Sequence, residues 1–289
     1  MLNIKCYIIT LQNFFCKKNQ SYLILNKKKY NLWNEICCIG LMFSKPTTQS
    51  SIDFTIMESK IDIDFINLIN REVDQLLTNK SKISASGRLV GQIKKGEQLF
   101  LSREVKIFDS IYKLGECMAE NYTSNYFINF NIRNPYNSAK CIDLWSVHQY
   151  AGDYNPIHNH SSIHNTKLSF ILWTKVPEKM NNSTEDFLFN ASGKEDGCTN
   201  FIGKSGGNLL DFHPTNNRTY YPEVGRFLIF PSWLNHSVNP FRCNGERRTI
   251  AGNITLGEAS NLPLNQNDKS VSNIFGSGNP LKWKISQDF

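Results

Sequence analysis

The chain has 289 residues, 40% hydrophobic and 12% aromatic, enough to bury the core of one large domain or two small ones. The net charge is +7, with lysines densest in CKKNQSYLILNKKKYNLW, yet no basic stripe interleaved with aromatics surrounds the histidines, which argues against a nucleic-acid partner. No apolar run reaches the ~18–20 residues that cross a bilayer, the N-terminus lacks a small-residue cleavage site, and the eight cysteines form no CxxC pair, so a cytoplasmic protein with free thiols and no membrane partner is expected.

Residues 1–56 are rich in Asn, Lys, Ile and Cys and show no sustained period, so they read as a poorly ordered extension. A single domain is expected over 57–258, with helical support over 57–135 and a β core over 136–258. An irregular Asn/Ser/Gly-rich tail follows over 259–289. In MESKIDIDFINLINREVDQLLTNK, which opens at Met57, Ile61, Phe65, Leu68, Ile69 and Leu76 recur at helical spacing. SASGRLVGQIKKGEQL (84–99) reads as loop or short strands. Val105, Ile107, Ile111, Leu114, Met118 and Tyr122 predict a second helix within 103–125, packed against a sheet.

From Cys141 onward the pattern becomes short β-type runs between turns: IDLWSVHQY, KLSFILWTKV (167–176), GNLLDF (207–212), RFLIF and ERRTIAGNI (246–254). Residues 177–200 are polar and loop-like, and the loop 177–206 is a candidate lid. Strands at this spacing without helices between them predict a mainly β antiparallel sandwich or barrel.

The chemistry concentrates in YNPIHNHSS. His158 and His160 lie two apart in an extended stretch, so both can point to one face and chelate one metal. The plain alternative is two surface imidazoles after a proline turn. His236, in FPSWLNHSV, follows a buried strand and a tight turn and offers a third ligand. Three imidazoles with open positions suit a divalent first-row metal such as iron or zinc. Being neutral, they favour an anionic co-ligand. Arg247 then matters: on ERRTIAGNI it shares a face with Thr249, Ala251 and Asn253, while Arg248 points the other way. A guanidinium and a hydroxyl two apart can clamp a carboxylate. An anion held by the metal at one end and by Arg247 at the other is a dicarboxylate. The competing reading makes both arginines solvated charges on an edge strand. His148, His164 and His213 are weaker ligand candidates. Phe227, Ile229, Leu172 and Trp173 read as barrel walls, and Trp145 and Trp233 as pocket lining or core.

Taken in order, YNPIHNH, LSFILWTKVP, GNLLDF, PEVGRFLIFPSWLNHSVNPF and ERRTIAGNI resemble the Fe(II)/2-oxoglutarate-dependent oxygenases, closest to the prolyl-hydroxylase-like members of phages and marine bacteria. The resemblance covers roughly residues 140–255, with a weaker echo in GRLVGQIKKGEQL. It implies a double-stranded β-helix, a cupin-like jelly roll with supporting helices. It also implies Fe(II) and 2-oxoglutarate as cofactors, with dioxygen and a further substrate as partners. His158 and His236 match the family's first and distal histidines, Arg247 the arginine for the far carboxylate, and Thr249 its hydroxyl partner. Gln149, Tyr154 and Asn253 are candidates to hydrogen-bond 2-oxoglutarate. Most of the superfamily has a carboxylate where this chain has His160; the phage-like branch commonly has His there, so His160 stays in the ligand set. The implied reaction is hydroxylation of a C–H bond coupled to decarboxylation of 2-oxoglutarate to succinate and CO2. Two alternatives stand beside it: a cupin-like three-histidine dioxygenase or isomerase that uses no 2-oxoglutarate, and an inactive jelly-roll binding module.

Overall fold

The computed structural model describes residues 43–50, 54–160, 165–178, 180, 195–203 and 217–258. The chain divides into two compact units, 1–44 and 45–289, and the elements below belong to the second. Two strands come first, β1 (Thr47–Ser50) and β2 (Thr55–Lys60), followed by helix α1 (Ile63–Thr78). Asp62 caps α1, its carboxylate accepting from the Asp64 N–H at 2.8 Å, and Phe65, Ile66, Ile69 and Val73 form its buried face. The helix read as opening at Met57 therefore opens at Ile63, and Met57–Lys60 is strand. β2 is buried on both faces, which erases the period-2 alternation that marks a half-exposed strand.

The N-terminal boundary read at residue 56 falls inside β2. Phe54 and Ile56 are buried in the inter-sheet core, so this stretch is part of the fold. Residues 1–42 and 51–53 lie outside the described residues, as does the tail from 259. β3 (Gln98–Phe100) follows, then α2 (Lys106–Asn129), which lies on the sheet where its Gly115 allows close approach: a Cβ there would stand 2.6 Å from the Phe170 ring.

Eight strands then build the core: β4 (Tyr136–Gln149), β5 (Asn155–His158), β6 (Leu168–Lys175), β7 (Thr199–Ile202), β8 (Asn217–Tyr220), β9 (Arg226–Pro231), β10 (Asn235–Val238) and β11 (Arg247–Glu258). One sheet runs β1-β2-β9-β6-β11-β4-β3 and the other β5-β10-β7-β8. All pairings are antiparallel. Apart from β7 and β8, successive core strands alternate between the sheets, the winding of a jelly roll. The mainly β, double-stranded β-helix expected from the resemblance is what the chain adopts, with α1 and α2 supporting the larger sheet.

Ile171, Trp173, Phe201, Leu228 and Phe230 meet between the sheets. Phe170 and Phe227 stack on the larger sheet, ring centroids 5.0 Å apart. Of the residues read as barrel walls, Trp173 belongs to the inter-sheet cluster; Leu172, Phe227 and Ile229 are buried but outside it. β7 lies within the candidate lid 177–206; that segment's residues 179, 181–194 and 204–206, and the strand read at 207–212, lie outside the described residues. Among the described residues no helix is long and apolar enough to cross a membrane, and Cys117, Cys141 and Cys198 are free thiols.

Candidate active site

β5 ends on His158, and antiparallel pairing sets His236 of β10 directly opposite it. His160 is no longer in the strand; its position is fixed by a backbone hydrogen bond from its N–H to the Ser232 carbonyl at 2.8 Å. The ring centroids stand 4.2 Å (His158–His236), 5.2 Å (His160–His236) and 5.4 Å (His158–His160) apart. One nitrogen from each lies within 4.8 Å of the others, a group that could hold a metal ion.

Each Nδ1 faces an oxygen acceptor: the Pro156 carbonyl for His158 at 2.8 Å, the Leu234 carbonyl for His236 at 3.0 Å, and Asn253 Oδ1 for His160 at 2.7 Å. A carbonyl oxygen only accepts, so Nδ1 carries the proton and the Nε2 lone pair is free for a metal. The Ser169 hydroxyl also donates to Asn253 Oδ1, at 3.0 Å, which fixes the amide's orientation. Burial pushes all three imidazoles below their ordinary range, His160 to about 4, and at His236 the neighbouring histidines add to the effect of burial. The triad is therefore neutral, the ligating form, at physiological pH.

Arg247 opens β11 and is 1% exposed. Its guanidinium donates to Gln149 Oε1 (2.6 Å), the Gly197 carbonyl (3.0 Å) and Thr199 Oγ1 (3.4 Å), and lies 5.8 Å from the Trp173 ring centre. All of these partners are neutral, and no carboxylate among the described residues reaches it. Burial pushes the guanidinium down to about 9. Arg248 turns to the opposite face, as strand alternation requires, and is fully paired: Nε to Glu246 at 2.7 Å and Nη2 to Asp74 at 2.5 Å.

One cavity of about 100 Å³ joins the triad to Arg247, with Gln149, Thr249 and Asn253 in its wall. The predicted residues Gln149 and Thr249 are thus brought to the site. Tyr154 is not: its side chain is 41% exposed and its backbone is tied to Gln92. Trp145 lines the cavity, whereas Trp233 is 40% exposed. His148 faces away, bonded to Glu246 at 2.7 Å and Ser146 at 2.8 Å. His164 and His213 lie outside the described residues. Sequence reasoning missed Gly197 and Thr199 as partners of Arg247, because Gly197 offers only a backbone carbonyl from a turn and β7 is too short to show a period. The residues present fit both a divalent metal, through three free nitrogen lone pairs, and a dicarboxylate, through a buried cation with no anion beside it.

Residues 143–253 match the family described as "Putative 2OG-Fe(II) oxygenase", a span that holds all three histidines and Arg247. No curated protein matches the chain. Several solved structures are similar at low identity. A prolyl-4-hydroxylase from Pseudomonas putida is 11% identical, over 78% of this chain and 97% of that one, with a TM-score of 0.44. A prolyl hydroxylase from Trichoplax adhaerens, in complex with a hypoxia-inducible-factor peptide, is 11% identical over 80% and 94%, TM-score 0.45. HygX from Streptomyces hygroscopicus, with nickel and 2-oxoglutarate bound, is 8% identical over 80% and 87%, TM-score 0.45. The likeness in sequence is thus confined to the jelly-roll core from Asp143 to Asn253, which is similar to the 2OG-Fe(II) oxygenases.

Proposed function

We propose that this chain is an Fe(II)- and 2-oxoglutarate-dependent dioxygenase that hydroxylates a C–H bond of its substrate. His158, His160 and His236 hold the metal. Arg247, with Thr249 and Gln149, holds the far carboxylate of 2-oxoglutarate. The observation that carries this reading is a buried guanidinium with no carboxylate partner among the described residues, in the same cavity as three free imidazole nitrogens. An uncompensated buried charge costs several kcal/mol. A dicarboxylate reaching from the metal to Arg247 removes that cost.

Bound Fe(II) and 2-oxoglutarate supply dioxygen activation, coupling loss of CO2 to transfer of one oxygen atom to the substrate and the other to succinate. The chain's own contribution is positioning. The Pro156 and Leu234 carbonyls and Asn253 hold the three rings in the ligating tautomer. Gln149, Gly197 and Thr199 fix three guanidinium N–H groups and so set the direction of the fork. Trp145, Val147, Ile171 and Phe230 exclude water from the space between.

Anaerobic titration of the Fe(II)-loaded protein with 2-oxoglutarate tests this. A weak visible metal-to-ligand charge-transfer band is expected, absent in Arg247→Ala while iron affinity is unchanged. Iron binding without a band in the natural protein would assign the triad to a chemistry that uses no 2-oxoglutarate. Unchanged metal affinity in His158→Ala and His236→Ala would exclude the metal centre itself.

A further inference from the structure

Among the described residues, those lining the triad's cavity include two arginines and no aspartate or glutamate. A dicarboxylate accounts for Arg247. The other is Arg88, at the end of the short 3-10 turn Ser86–Arg88. The turn belongs to a strap laid along the cavity wall, bridged at one end by Ser84 to Leu99 and at the other by Gln92 to Tyr154. It is held further by the Ala85 N–H to the Gln98 carbonyl at 2.7 Å and the Lys94 N–H to Asp153 at 2.8 Å. Its Ala85, Leu89 and Ile93 pack with Trp145, Val147, Ala251 and Phe100. The Arg88 guanidinium lies 5.5 Å from the Phe100 ring centre, and among the described residues it forms no ion pair. A second unmet group lines the same cavity: Gln98 is 2% exposed and its Oε1 has no hydrogen-bond partner.

We propose that Arg88 is the counter-charge for an anionic group, a carboxylate or a phosphate, on the substrate, with Gln98 offering its amide to a polar group beside it. This rests on the reading of the triad and Arg247 given above. On that reading a divalent metal and a dianionic 2-oxoglutarate cancel, and both guanidinium charges remain. His160 stands where a carboxylate ligand would otherwise offset one of them, so the loaded cavity is positive, and an anionic substrate is the complementary one. The strap's fixed backbone and the Phe100 ring beneath the guanidinium hold that charge at the mouth instead of leaving it to sweep through solvent.

The test uses the full chain loaded with Mn(II) and saturating 2-oxoglutarate, so that the Arg247 subsite is filled. Paramagnetic relaxation of two probe anions is then followed, inorganic phosphate by phosphorus NMR and acetate by carbon NMR. Saturable enhancement is expected for at least one. Arg88→Gln should weaken it about tenfold or more, because a charge-assisted contact is lost, with 2-oxoglutarate affinity unchanged; Arg88→Lys should keep part of it. A response to phosphate alone assigns a phosphorylated substrate, and a response to acetate alone a carboxylate one. No saturable enhancement for either anion, or equal saturation in Arg88→Gln, overturns the proposal. Absence of 2-oxoglutarate binding, measured by calorimetry before an anion is added, identifies the metal and cofactor reading as the failing step and takes this proposal with it.

Discussion

Adjacent arginines on β11 sit in opposite electrostatic conditions. Arg248 is buried behind the larger sheet and paired with Asp74 and Glu246, while Arg247 is equally buried and, among the described residues, has neutral partners alone. Replacing a buried cation that lacks an anion by an apolar side chain of similar length removes a desolvation cost, so Arg247→Met should stabilise the cofactor-free protein by about 1–3 kcal/mol. The same change should abolish the 2-oxoglutarate band. A lower urea midpoint in the variant would mean that the bonds to Gln149, Gly197 and Thr199 outweigh the desolvation. With the metal held as proposed, Asn253 would act one step back from it, through His160 Nδ1. Asn253→Leu leaves that N–H without an acceptor, and metal affinity should fall about 10–100-fold by Co(II) titration. Asn253→Asp, which restores an acceptor, should recover most of it; equal loss in both variants would point to a packing effect.

At the scale of elements, two kinds of burial left a legible pattern: the one-sided apolar stripe of α1 and the continuous apolar run of β6, which is covered on both faces. On β11 the two-residue repeat of strand geometry puts Arg247, Thr249 and Asn253 on the cavity side. β2 was not legible, because TIMESK is covered on both faces yet forms neither an alternation nor a continuous apolar run, and neither were β7 and β8, four residues each. His160 was placed by strand periodicity although it lies beyond β5; a hydrogen bond to Ser232, far along the chain, puts it where the alternation argument did. Tyr154, a candidate to hydrogen-bond 2-oxoglutarate, is instead exposed to solvent. The misread boundary has a consequence. A chain begun at Met57 loses β1 together with Phe54 and Ile56, each in the inter-sheet core, where deleting one large apolar side chain costs about 2–5 kcal/mol. Such a chain should be aggregated or melt far earlier than one begun at Phe43; equal melting temperatures would show the N-terminal strands to be dispensable.

At the scale of the molecule, α1 is clamped to the barrel by a charged cluster on the outside of the larger sheet. Asp74 meets Arg248 and Lys175, and Glu246 meets Arg248, Lys175 and His148. Burial alone would raise the Glu246 carboxyl; hydrogen bonds from His148 and Arg248 outweigh it and hold the group at about 2. Its contribution to stability is therefore full above its ordinary value, 4.5, and is lost as pH falls through about 2. Glu246→Gln should cost about 3 kcal/mol at neutral pH, as expected for breaking a buried pair. It should also flatten the acid limb of the stability curve between those two values; parallel acid limbs would remove Glu246 as its cause. The barrel's winding has a kinetic corollary. Its first and last strands, β4 and β11, are neighbours from Gln149–Arg247 to Tyr136–Glu258, so the larger sheet closes only when distant parts of the chain meet. His158 and His160 are near each other from the outset, but His236 and Arg247 arrive with that closure, after the loop entropy has been overcome. Metal ions consequently act on the escape from the folded state and not on its formation: refolding should run at the same rate with and without Fe(II), and unfolding should slow in its presence.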